Sequence, residues 1–195
     1  MKTWAISGLL LLSVLGCDRA KAPAYGPTEA GLVLGYENPS LPENQRINER
    51  VQLRVDSTAQ VEGGLDVRMT LSTLRGQVPQ RLFFRRGGLA VWDGKAILQT
   101  VLPEGFPQVQ RWEGKDTFSR VLGRSTAEAS IPLSPGSDRT GYWVETQDKV
   151  NPGVRARTCF VPEVGVVETR VWQDGQWVTI QRLSSRMFAD APRQQ

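Results

Sequence analysis

Val166-Val167-Glu168-Thr169-Arg170-Val171-Trp172-Gln173-Asp174-Gly175-Gln176-Trp177-Val178-Thr179-Ile180-Gln181-Arg182-Leu183 is the stretch that decides the fold. Asp174-Gly175 suits a two-residue type I′ turn, because both central residues of that turn need positive φ. Pairing outward from it sets Gln173 opposite Gln176 and Trp172 opposite Trp177. The tryptophans fall at a non-hydrogen-bonded position, where side chains approach most closely. Such a cross-strand aromatic pair contributes about 0.2–1 kcal/mol. Val167, Thr169, Val171, Val178 and Ile180 share one face and read as core. Glu168, Arg170, Thr179 and Gln181 share the tryptophan face, which reads as partly wet.

The same period-two alternation recurs upstream. Val51-Gln52-Leu53-Arg54-Val55 and Leu65 to Ser72 alternate apolar and polar, and Glu62-Gly63-Gly64 joins them as a hairpin. Alternation of this kind marks antiparallel strands with one packed face. In Leu89 to Leu98, Asp93-Gly94 predicts a second two-residue turn, with Val91 opposite Ala96 and Leu89 opposite Leu98. Both faces of that hairpin are apolar, so a central or covered place is expected. Gly31 to Tyr36, Val109 to Trp112, Phe118 to Leu122 and Tyr142 to Glu145 are further strand candidates. Residues 38–50 and 131–140 carry prolines and polar residues and read as loops. No amphipathic helix of ten or more residues is found. Short strands with frequent turns give an all-β, mostly antiparallel fold of eight to ten strands, a curved sheet or half-barrel, with a β-sandwich as the alternative.

The N-terminus reads as targeting. Lys2 precedes a nearly unbroken apolar run from Trp4 to Leu15, too short to span a bilayer, which needs about 20 residues. Val14-Leu15-Gly16-Cys17 resembles the lipobox of bacterial lipoproteins. The resemblance implies cleavage between Gly16 and Cys17, covalent lipid on Cys17, and a domain held in the cell envelope facing the periplasm or exterior. An ordinary secretory signal with an incidental cysteine and an uncleaved anchor helix are the other readings. Two or three acyl chains hold stably, since each buried methylene contributes about 0.8 kcal/mol and one chain alone is marginal. The organisation expected is a signal over 1–16, the lipidated cysteine and a flexible linker over 17–30, one β domain over 31–188 and a tail over 189–195.

Composition narrows the chemistry. The chain has 195 residues, 24 Lys and Arg against 20 Asp and Glu, and no histidine. Removing residues 1–16 takes away Lys2 alone among charged residues, which leaves 23 basic against 20 acidic. The charges are interspersed and form no basic stripe with interleaved aromatics, so nucleic acid is not an expected partner. The absence of histidine removes the commonest general base, the usual serine triad and most transition-metal sites. Glu163 and Glu168 come nearest to a placed carboxylate pair, and both read as solvated. No phosphate loop or nucleophile elbow is present. No catalytic residue, metal site or cofactor is assigned beyond lipid on Cys17, and a histidine-independent hydrolase is the enzymatic alternative. Cys159, with Cys17 lipidated, has no intramolecular partner and reads as a buried structural thiol. Trp172 and Trp177 are candidate surface or ligand-facing aromatics, although plain core or sheet-stabilising packing is the favoured reading of such residues.

Arg157-Thr158-Cys159-Phe160-Val161-Pro162-Glu163-Val164-Gly165-Val166-Val167-Glu168 resembles a segment of small, uncharacterised bacterial lipoproteins. There an aromatic strand meets a proline and a glycine-containing turn, then a valine-rich strand. Some relatives are similar to half-barrel lipoprotein carriers, in which a curved antiparallel sheet encloses an apolar cavity. The reading is therefore a lipid-anchored envelope protein, a non-catalytic binding or structural module with an envelope protein as partner. The alternative is a carrier or chaperone for a lipid or other hydrophobic ligand.

Overall fold

The computed structural model describes residues 23–46, 49–92, 98–127 and 140–189. The strands are β1 (Leu32–Glu37), β2 (Val51–Val61), β3 (Gly64–Thr73), β4 (Gly76–Arg85), β5 (Gly88–Trp92), β6 (Leu98–Leu102), β7 (Arg111–Glu113), β8 (Thr117–Thr126), β9 (Thr140–Asp148), β10 (Arg155–Val161), β11 (Gly165–Gln173) and β12 (Gln176–Phe188). The one helix among the described residues, α1 (Glu43–Arg46), is a single turn. All twelve strands are antiparallel in one sheet ordered β6-β5-β4-β3-β2-β1-β12-β11-β10-β9-β8-β7. The fold is all-β, as the alternation predicts, with more strands than expected.

The chain enters at the middle of the sheet. It meanders outward from β1 to β6, crosses to β7 on the opposite edge, and meanders back until β12 closes against β1. That route forces curvature. Eleven interstrand spacings in a flat sheet would put the edges about 53 Å apart. The nine residue steps from Leu102 to Arg111 reach at most about 32 Å. The sheet must therefore bend until its halves face each other, although β6 and β7 do not pair and the sheet remains open. Register shifts at Gly35/Tyr36, Val55/Ser57, Leu89/Ala90, Val121/Gly123, Cys159/Phe160 and Thr169/Arg170 supply the bends. An extra residue in one strand both kinks it and increases its twist.

The concave face holds the core. Leu34, Val55, Val67, Met69, Leu82, Phe84, Leu89, Phe160, Val167 and Leu183 are buried together. Phe106, in the link between β6 and β7, is 2% exposed. Its ring meets Tyr25, Trp112, Tyr142 and Phe160 edge-on, with centroids 4.7, 6.3, 5.7 and 6.4 Å away. The link is thus pinned into the aromatic end of the core by one side chain.

The Asp174-Gly175 hairpin forms in the expected register, with φ of 49° and 80° at the turn and Trp172 paired to Trp177. The hairpin through Glu62-Gly63 also forms. The β5–β6 hairpin departs from expectation. Asp93 and Gly94 lie outside the described residues, but Trp92 pairs with Leu98, Val91 with Gln99 and Leu89 with Leu102. The two-residue pairing of Leu89 with Leu98 is excluded. The observed register carries Leu102 into the core at 1% exposure, opposite Leu89, and that burial outweighs the local turn preference. The hairpin is also the sheet's edge, not its centre, and Trp92 is 39% exposed.

β4 is not among the strand candidates of the sequence, and it contains Pro79. Pro79 pairs with Thr70 of β3, while β5 pairs only with Leu82–Arg85. The proline therefore sits where β4 has no second neighbour, the place in a sheet that tolerates a missing N–H.

Candidate functional site

Between the two halves of the sheet lies a cavity of about 360 Å³. Val51, Leu53, Met69, Leu71, Leu82, Leu89, Val91 and Val101 line it from one half, and Phe160 and Val166 from the other. Tyr36 of β1 reaches over β12 and donates its hydroxyl hydrogen to the Val166 carbonyl at 3.0 Å. Burial pushes its phenol well above the ordinary range, so the group stays neutral. The cavity is half-open. Leu71 and Val91 are only partly buried although they face inward, and Val78, paired with Leu71, is 53% exposed. The volume falls in the usual range for small-molecule pockets, about 300–1,000 Å³.

Four polar side chains also line this space: Gln80 from β4, Thr158 from β10, Thr169 from β11 and Gln181 from β12. Thr158, Thr169 and Gln181 are neighbours across three adjacent strands. Gln181 is a correction to the alternation, which put it on the tryptophan face. The register shift between Thr169 and Arg170 makes Ile180 the extra residue and turns Gln181 inward. A bulge depends on the partner strand, so period-two counting along one strand misses it.

The convex face of β8–β12 carries a second layer, made of charges and rings. Glu145 accepts from Arg120 Nη2 at 2.6 Å and from Arg157 Nε at 2.9 Å. Burial works against its charged form, but the hydrogen bonds and charges of Arg157 and Arg120 prevail and hold the carboxyl below its ordinary value. Glu168 accepts from Arg170 Nε at 2.7 Å and from the Thr179 hydroxyl at 3.1 Å. Arg155 and Arg157 stack over Trp172 and Trp177 at 4.7 and 4.0 Å, and Arg170 over Trp143 at 4.8 Å. Trp172 and Trp177, with centroids 5.3 Å apart, therefore face away from the cavity, and arginines cover them.

Glu168 is the largest departure among the candidate residues. It reads from sequence as solvated and is 0% exposed. The arginine stems and tryptophan rings exclude water from the convex face, and Arg170 and Thr179 satisfy the carboxylate there. Glu163, by contrast, is exposed in the turn between β10 and β11 with φ of 62°, so the two carboxylates occupy opposite settings. Cys159 is fully buried beside Glu168, as expected of a structural thiol. Desolvation first, then the Glu168 charge, push its thiol up to about 12. Among the described residues no group of three Cys, Asp or Glu side chains is placed to hold a metal.

Cys17, Gly16 and the signal lie outside the described residues. Within the segment read as linker, however, Tyr25, Gly26 and Pro27 are buried and line the cavity. Glu163 N–H donates to the Ala24 carbonyl at 2.7 Å. A Cβ on Gly26 would run into the Phe84 ring, and one on Gly165, where φ is +94°, would come within 3.0 Å of Gly26 Cα. Ala24 to Pro27 thus pack with the described β domain. The sequence signal for this is Tyr25-Gly26-Pro27, an aromatic beside a residue small enough for close backbone approach.

No protein-family model matches the sequence, and no curated protein matches it. Two solved structures share the fold. One, provisionally described as an exported protein with a YmcC-like fold from Bacteroides fragilis, superposes with a TM-score of 0.59 at 10% identity, over 85% of this chain and 100% of that one. The other, provisionally described as a lipoprotein from Parabacteroides distasonis, gives 0.51 at 10% identity, over 85% and 99%.

Proposed function

We propose that this chain is a lipid-anchored envelope protein whose domain binds a hydrophobic ligand non-catalytically in the cavity between the half-sheets. The cavity carries the reading: a half-open space of 360 Å³ lined by aliphatic and aromatic side chains from both halves. Filled cores close to organic-crystal density, so an apolar space of this size marks room for an occupant. The two carboxylates on the convex face are held by arginines, which disfavours their use as acid or base. Descriptions of the two similar structures as exported protein and lipoprotein support placement in the envelope. Cys17 precedes Tyr25 by eight residues, a reach of at most about 29 Å. The tether would therefore hold the cavity's wall close to the bilayer.

A second reading rests on the convex face, where arginines over tryptophans would suit an envelope protein with an acidic surface. Native mass spectrometry of protein extracted gently from membranes separates the two. The ligand reading expects a small apolar molecule retained non-covalently and lost on delipidation. An empty domain that copurifies with a protein through its arginine face would replace it. Labelling with an alkyne fatty acid tests the anchor: Cys17→Ser should lose both label and membrane retention, and a labelled, retained variant would refute it.

A further inference from the structure

The inference concerns the chemical class of the cavity's occupant, and it rests on the ligand reading above. Glu145, Arg157, Glu168 and Arg170 point to the convex face and alternate with the inward Val144, Thr158 and Thr169. Among the described residues lining the cavity there is no Asp, Glu, Lys or Arg. The polar lining consists of two amides, Gln80 and Gln181, and two hydroxyls, Thr158 and Thr169, beside the Tyr36 hydroxyl already bonded to Val166. None of the four has a side-chain hydrogen bond to another described residue. They are donors and acceptors without partners among the described residues: Thr158, Thr169 and Gln181 sit together on β10–β12, and Gln80 sits on β4 of the other half. Amides and hydroxyls offer both donor and acceptor sites, which a neutral hydroxyl or amide head can meet in full. An ionised head entering the same place would lose water without meeting an opposite charge. The 360 Å³ volume is the space of about twelve waters. That is the scale of one short alkyl chain and a small head, not of a two-chain phospholipid.

We propose that the cavity selects a neutral, single-chain amphiphile, its head held by Gln181, Thr169, Thr158 and Gln80 and its chain against Leu53, Met69, Leu82 and Phe160. The methionines give a direct readout. Met69 lines the cavity and is buried, whereas Met187 is exposed near the end of β12. The full lipidated protein in nanodiscs, labelled with ¹³C at the methionine methyls, is titrated with decanol, decanamide, decanoate, decyltrimethylammonium and decane, with affinities referred to free ligand concentration. The Met69 signal should shift saturably with decanol and decanamide while Met187 stays in place. Decanoate and the ammonium should bind at least about tenfold more weakly. The Thr169→Val, Gln181→Leu double variant, near-isosteric at both positions, should weaken decanamide while leaving decane unchanged. Ionic heads that bind as tightly as neutral ones, or decane that equals decanol, would overturn the proposal and leave the ligand reading standing. A Met69 signal that no compound moves would remove the ligand reading itself.

Discussion

Replacing Phe106 by alanine tests the claim that one side chain pins the two edges of the sheet. Phe106 sits in the link whose short reach forces the bend, and it is 2% exposed. Large-to-small changes at such a phenylalanine cost about 3–5 kcal/mol, as lost burial plus the cavity left behind. Four aromatic neighbours meet the ring edge-on, so little backbone is free to collapse into the gap, and the upper half of that range is expected. With a urea m-value of about 2 kcal/mol/M for a domain of this size, a loss of about 4 kcal/mol lowers the midpoint by about 2 M. Phe106→Leu keeps most of the volume and loses chiefly the edge-to-face terms, each about 0.5–1.5 kcal/mol beyond burial. It should fall between wild type and alanine. In a double-mutant cycle with Tyr25→Leu, at 4.7 Å, a coupling of about 0.5–1.5 kcal/mol is expected. Equilibrium urea unfolding followed by tryptophan fluorescence and far-UV circular dichroism gives all four midpoints. An alanine variant within about 1 kcal/mol of wild type would show that the edges close without this contact. So would a leucine variant as weak as alanine.

Stability should fall with acid through Glu145. Its carboxyl is held low in the folded state, so its contribution is complete above the unfolded value of about 4.3 and is lost as pH drops through the folded value. Urea midpoints from pH 6 to pH 3 should therefore decline less steeply in Glu145→Gln than in wild type, and parallel curves would refute the assignment. Glu168→Gln leaves partly exposed Arg170 facing a neutral amide and should cost about 1.5–3 kcal/mol by the same unfolding assay, against under 1 kcal/mol for exposed Glu163→Gln. Cys159, buried and shifted up to about 12, should resist a thiol reagent at pH 8 in the folded protein and react fully in denaturant. Rapid labelling without denaturant would contradict its burial. Gly26→Ala forces a methyl against the Phe84 ring and should cost about 1–3 kcal/mol. Limited proteolysis should then cut near residue 25 faster than in wild type.

What could be read from the sequence divides along a physical line. The Asp174-Gly175 hairpin was legible to the residue because its turn is local: two positive-φ positions and a tryptophan on either side fix the register with no help from elsewhere. Asp93-Gly94 sends the same local signal, yet the register around it is set by Leu102, which reaches the core only if the strands slip past the tight pairing. β4 carries Pro79, whose tolerance in a strand depends on the absence of β5 beside it, a fact of topology. The cavity was legible only as a resemblance. The inward place of Gln181 comes from a bulge, and the contribution of Tyr25 from a segment whose composition reads as tether. Lipidation of Cys17, by contrast, is argued from sequence alone, because the motif is read by envelope enzymes and not by the fold.

The two faces of the sheet sort neutral polar groups in a way that strict alternation would not have produced. With unbroken period-two pairing down β11 and β12, Gln181 would join Glu168 and Arg170 outside, and Ile180 would face the interior. The cavity would then lose one of its two amides and gain an aliphatic side chain. The single extra residue at Ile180 exchanges them. Thr179 lies on the turn side of the bulge, pairs with Arg170 in the register the turn sets, and brings its hydroxyl to Glu168 at 3.1 Å. The bulge therefore leaves the donor to the buried carboxylate in place on the convex side and supplies a neutral hydrogen-bonding group on the concave side. Alternation alone separates the charged layer of β9–β11 from the inner face, and the bulge is what adds Gln181 to that inner face.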